Sequence, residues 1–112
     1  MAAAQHPVPP IEVVVSLTDL VQYQPGAVVS RTIVKRAAGT VTAFAFDQGE
    51  GLSEHTAAYD ALAMGIEGEA EITIAGKPHR LGAGHLLLLP ARQPHALKAR
   101  SRFKMLLVMI RE

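Results

Sequence analysis

Glycine and proline interrupt this chain so often that helix has almost no room to form. From residue 11 onward, short stretches that are β-branched or alternate apolar with polar are separated at close spacing by Gly, Pro and Asp. That punctuation is the pattern of an all-β sandwich or barrel. The predicted strands are residues 11–15, 27–36, 40–47, 59–66, 69–75, 78–81, Leu86–Leu89, 93–100 and 103–111. One helical turn is expected over 17–21, with Ser16 as N-cap and Asp19 reaching back, ended by the Pro25-Gly26 turn. Glu67-Gly68 reads as a hairpin tip, and Ala75-Gly76-Lys77-Pro78 and Gly82-Ala83-Gly84 as the turns that continue a meander. Leu86–Leu89 and residues 105–110 lack alternation, which predicts strands buried on both faces between two sheets.

With 112 residues the chain fits one domain, expected over 11–112 and preceded by an extended Ala/Pro-rich arm over 1–10. A chain of this size buries about 65% of its unfolded surface, enough for a core that needs no staples. Cysteine is absent, which excludes a disulfide framework, a thiolate zinc site, an iron–sulfur cluster and a cysteine nucleophile. Lys and Arg number 11 against 10 Asp and Glu, so no strong field points to nucleic acid or an anionic membrane. The arm lacks the basic and apolar regions of a secretory signal, and the longest apolar runs fall far short of the roughly 20 residues of a membrane helix. The expectation is a cytoplasmic protein with neither nucleic acid nor membrane as partner. Glycines never precede a helix in a phosphate-cradling arrangement, which disfavours nucleotides as well.

The segment from residue 51 to 99 carries the specific signal. Gly51-Leu-Ser-Glu-His55-Thr-Ala57-Ala-Tyr59-Asp-Ala61, running on to Glu67-Gly68, resembles the first conserved motif of the cupin superfamily. That motif sets a glycine, an H-x-H pair, a glutamate and a closing glycine at fixed spacing. His55 falls on the first histidine, Ala57 on the second, Ala61 on the glutamate and Gly68 on the closing glycine; Gly49 is the better-spaced match for the opening one. Downstream, Gly84, Pro90 and His95 fall on positions of the second motif, while Arg92 stands where the family has glycine and Ala99 where it has asparagine. The resemblance implies an all-β double-stranded β-helix, or jelly-roll barrel, and a homodimer as the usual assembly.

In that family the histidines and the glutamate bind a divalent metal, and the resemblance implies that only His55 and His95 survive here. Catalytic metal sites ordinarily have three protein ligands and an open position, and an alanine methyl coordinates nothing. Ala57 and Ala61 have therefore lost their ligands, and the expected cofactor is none, or a divalent transition metal held weakly by His55 and His95. Were the stretch extended, alternation would turn positions 55, 57, 59 and 61 to one side, with Tyr59 a pocket wall and Asp60 and Glu54 turned away. Met64, Met105 and Met109 read as core filler or cavity wall, and Met64 is placed with His55, His95 and Tyr59 in the expected ligand pocket. Phe44 and Phe46 share a face; His79 and His85 lie at turns; Lys98, Arg100, Arg102 and Lys104 read as a solvated sheet edge. The leading expectation is a barrel that binds an unknown small molecule, non-catalytic or weakly catalytic. One alternative is a metal-dependent enzyme of dioxygenase or isomerase type with an unidentified third ligand. The other is a structural barrel without a ligand. Fold-level analogy carries no substrate information.

Overall fold

The computed structural model describes residues 3–6 and 13–112. Among them ten strands form: β1 (Ala3–His6), β2 (Val28–Arg36), β3 (Gly39–Phe46), β4 (Gly51–His55), β5 (Asp60–Glu67), β6 (Glu69–Ile74), β7 (Lys77–Gly82), β8 (Leu86–Leu89), β9 (His95–Ala99) and β10 (Phe103–Ile110). They make a six-stranded sheet in the order β1-β2-β3-β10-β5-β8 and a four-stranded sheet in the order β4-β9-β6-β7. Consecutive strands that leave one sheet for the other, as β4 to β5 and β8 to β9 do, give the jelly-roll arrangement that the sequence motifs imply. No described helix is long and apolar enough to cross a membrane.

The core between the sheets follows from alternation. Val28, Phe46, Ala63, Ile72, Leu81, Leu97, Phe103 and Met105 are buried in one cluster fed from both sheets. Phe46 and Phe103 pair across β3 and β10 with ring centroids 5.9 Å apart, and Phe44 stacks on Phe46 at 5.7 Å. These rings fill the barrel where β10 begins. Further along, the inward positions of β5 are Ala61 and Ala63, whose methyl groups leave space that larger side chains would take. A second cluster, Leu20, Val21, Val29, Ala43 and Ala45, covers part of the outer face of the larger sheet beneath the segment before β2.

Several strand expectations require correction. Val13, Val14 and Val15 form no strand and are 72%, 102% and 43% exposed, while Ile11 and Glu12 lie outside the described residues. The arm expected over 1–10 is extended at Ala3–His6, but there it is a sheet member, paired in parallel with Val28–Arg31. β4 is a strand that the alternation pattern does not predict, since Gly51-Leu-Ser-Glu-His55 alternates only weakly. Leu86–Leu89 is not buried on both faces: β8 is an edge strand, with Leu89 buried but Leu86 and Leu88 61% and 49% exposed. Of the basic run, Lys98, Arg100 and Arg102 are exposed as a solvated cluster would be, but the run is not at a sheet edge. β10 is a central strand, and Lys104 is buried with its Nζ donating to the Thr18 carbonyl at 2.7 Å. The helical turn shrinks to a single 3-10 turn, Leu17–Asp19, and the Ser16 side chain makes no capping bond.

Candidate functional site

β4 and β9 pair antiparallel so that His55 lies directly opposite His95. The two imidazoles meet edge to face, with ring centroids 4.3 Å apart. Each ring is held by its own strand in the same way: Nδ1 of His55 lies 3.0 Å from the Ser53 carbonyl oxygen, and Nδ1 of His95 lies 3.1 Å from that of Gln93. His55 is exposed and His95 half-buried, which puts the pair at the opening of the interior. Burial, and then the neighbouring His55, hold the His95 imidazole below the ordinary histidine value despite its bond to Gln93. His95 is therefore held neutral to lower pH than a free imidazole.

Behind the pair lies a cavity of about 40 Å³, lined by Leu52, Ala63, Ile72, Leu89, Leu97, Met105 and Leu107, with His55, His95 and Ala96 completing it. That is room for a few waters, whereas roughly 150 Å³ is needed to enclose a benzene. A larger molecule would enter by one edge and keep its bulk at the mouth. The wall is apolar apart from the imidazoles, and no charged side chain lines it.

Of the residues expected in the pocket, His55 and His95 are brought together and Tyr59 and Met64 are not among the lining residues. The reason is a break in the strand. β4 ends at His55 and β5 starts at Asp60 in the other sheet, so parity does not carry across residues 56–59. Tyr59 is 40% exposed in that crossing segment. In β5 the inward residues are Ala61 and Ala63, so Met64 points to the outer face, cross-strand from Leu106 and Leu86. Leu52, Ala63 and Leu107 also line the cavity, and strand register rather than sequence spacing brings them there.

The crossing segment has its own anchors. Arg92 N–H donates to the Ala57 carbonyl at 2.7 Å, and the Asp60 carboxylate accepts from Ala91 N–H at 2.7 Å. Asp60 is thus engaged in tying this segment to the turn before β9. His85 is used in a turn, its Nδ1 accepting from Gly82 N–H at 2.9 Å, and His79 is exposed on β7. Among the described residues no group of three or more His, Cys, Asp or Glu is arranged to hold a metal ion. Ala61 stands buried and Ala57 half-buried where a ligand would be needed. The donor set does not fit a three-ligand metal centre.

Fold and site define a jelly-roll barrel with a histidine-rimmed, otherwise apolar interior. A cupin-domain family model matches residues 43–111, from within β3 to just past β10, and the chain belongs to that family. Among solved structures it is similar to a conserved protein of unknown function from Streptococcus pyogenes, with 36% identity, 94% of each chain covered and a TM-score of 0.87. A cupin superfamily protein from Desulfitobacterium hafniense has 29% identity and the same TM-score of 0.87, over 92% of this chain and 94% of that one. A cupin 2 conserved barrel domain protein from Leptotrichia buccalis is 36% identical over 84% of this chain and 46% of its own, with a TM-score of 0.81. A search of curated proteins finds no match.

Proposed function

We propose that this cupin binds a small molecule at the mouth between His55 and His95, and that it is non-catalytic or weakly catalytic. The observation that carries the proposal is the facing imidazole pair, each ring oriented by a backbone carbonyl, at the entrance of an apolar cavity. A few convergent polar groups in an otherwise apolar hollow are the usual composition of a small-molecule site. The test is a thermal-shift screen of small metabolites on the wild type and on His95→Ala. Ligands that raise the wild-type melting temperature and lose that effect in the variant are expected. Unchanged stability and unchanged ligand retention in His95→Ala overturn the proposal.

The second reading, a metal-dependent enzyme of dioxygenase or isomerase type, draws on the same carbonyl-oriented imidazoles, because orienting one ring nitrogen is how proteins prepare the other to ligate. Two such nitrogens with alanines at the neighbouring family positions hold a metal weakly, so elemental mass spectrometry after dialysis with iron, nickel, zinc and manganese is expected to find far less than one metal per chain. A near-stoichiometric metal that disappears in His55→Ala would replace the first reading by the second. We further propose that the chain forms a homodimer through the outer face of the larger sheet, on the strength of the exposed Leu86 and Leu88.

A further inference from the structure

We infer that the site selects a neutral molecule bringing hydroxyl protons, an alcohol, phenol or enol, and discriminates against carboxylates. This rests on the small-molecule reading above and specifies the chemistry of that ligand. A carbonyl oxygen can only accept a hydrogen bond, so the contacts to Ser53 and Gln93 place a proton on Nδ1 of both His55 and His95. A neutral imidazole has a single N–H, and each Nε2 is left as a lone pair. No hydrogen-bond partner to either Nε2 is found among the described residues. The same local device, a histidine bonded to the carbonyl two residues before it, occurs on two adjacent strands in register, so two rings of the same tautomer meet at the cavity mouth.

The rest of the wall offers nothing to offset them. Leu52, Ala63, Ile72, Leu89, Leu97 and Leu107 are apolar, and no Lys or Arg lines the cavity. A hydroxyl entering this mouth gives an imidazole lone pair a donor in place of water. A carboxylate entering it meets two lone pairs, loses part of its hydration and finds no cation. Two acceptors at one mouth suit a ligand that carries more than one hydroxyl, because each proton then has its own acceptor. The cavity, about 40 Å³, takes the hydroxyl-bearing edge while the remainder of the ligand stays at the opening beside the exposed His55.

The test uses the full chain labelled with ¹⁵N, in chelator and without air, at about pH 8, where an ordinary imidazole is neutral. Long-range proton–nitrogen spectra, assigned with His55→Gln and His95→Gln, read the tautomer of each ring in the wild type. The protein is then titrated with catechol, 1,2-dimethoxybenzene and benzoate, matched in ring but differing in donor and charge. The Nδ1–H tautomer is expected for both rings, with catechol bound at least roughly tenfold more tightly than the other two probes, the scale of one or two satisfied hydrogen bonds. An Nε2–H tautomer at either ring overturns the inference. Equal binding of all three probes overturns it too, while leaving the small-molecule reading standing. Absence of binding by any of the three overturns the inference as well, and the small-molecule reading then stands or falls on the metabolite screen of the wild type and His95→Ala.

Discussion

Arg92 has a φ of +65°, in the left-handed region that glycine enters without a steric penalty. The family motif has glycine at this position, and the backbone here keeps the glycine conformation with an arginine in it. For an L-residue with a side chain that conformation costs about 1–2 kcal/mol, while glycine gives back part of it as unfolded-chain entropy. Arg92→Gly is therefore expected to raise stability by about 0.5–1 kcal/mol in urea unfolding; a loss would mean that the guanidinium contributes more than the backbone strain removes. Asp47 supplies the second prediction at this scale. Its carboxylate accepts from Gly26 N–H at 2.7 Å, from Gln48 N–H at 2.9 Å and from Arg102 Nε at 3.0 Å. These bonds, with that to Gly26 foremost, hold its pKa below the ordinary aspartate value. A carboxyl with a depressed folded pKa binds fewer protons folded than unfolded. Its stabilisation is thus complete above the unfolded value near 4 and is lost as the pH falls through the folded one. Melting temperatures of Asp47→Asn should lie below wild type at neutral pH and converge with it in acid. Parallel curves would assign the acid loss to other carboxylates. That His55 and His95 come together was legible in the sequence because a motif residue that forces backbone geometry precedes each at fixed spacing, Gly49 at φ +84° and Gly84 at +80°. The places of Tyr59 and Met64 were not, because spacing alone does not say where β4 stops.

Elements were legible where turns are written in residue chemistry. Ala75 and Gly76 both have positive φ, as a two-residue hairpin of type I′ requires, and β6 and β7 pair around them as the Gly-Lys-Pro sequence implies. The segment ahead of β2 was half legible. Its 3-10 turn falls where a helical turn was expected, but what fixes it lies far along the chain. Lys104 holds the Thr18 carbonyl, Arg31 holds that of Leu20 at 2.9 Å, and Tyr23 donates to the Glu67 carboxylate at 2.5 Å. Arg102 and Lys104 lie over the Tyr23 ring at 5.1 and 4.7 Å. Burial, then Glu67, push the Tyr23 phenol well above its usual range, so it stays protonated and donating across the working pH range. Tyr23→Phe keeps the ring under the two cations but leaves the half-buried Glu67 without its donor. A loss of about 1.5–3 kcal/mol is expected in chemical denaturation, the scale of a hydrogen bond to a charged acceptor. Limited proteolysis should then cut within residues 13–27 before the barrel. Unchanged stability would show that Arg31 and Lys104 suffice to hold the segment.

At the scale of the molecule, the apolar run Leu86–Leu89 predicts a strand screened from water on both faces, and the single chain screens only one of them. Leu89 lines the cavity, while Leu86 and Leu88 face out from an edge strand. They are not isolated on that face. Leu86 is cross-strand from Met64 and so from Leu106, and Leu88 from Leu62 and so from Val108, which makes two apolar rows three strands wide. Sequence patterning reports that a face avoids water without saying which chain covers it. A second copy placed by a two-fold axis would cover each row with its own equivalent, and would protect an edge strand otherwise open to uncontrolled pairing. Two leucines alone fall well short of the roughly 800 Å² per partner that a stable interface removes, so both rows must take part. Light scattering after size exclusion at micromolar concentration is expected to give the mass of two chains. Introducing Leu86→Glu and Leu88→Glu together should give that of one, with the far-ultraviolet spectrum of the barrel retained, because each carboxylate would be buried unpaired at the interface but solvated in the monomer. A wild type that elutes as one chain would sink the dimer and leave Leu86 and Leu88 facing solvent. In a dimer, β8 would be covered from outside by the partner and bounded from inside by the cavity. Ligand binding at His55 and His95 should then weaken in the double variant, which the catechol titration measures directly.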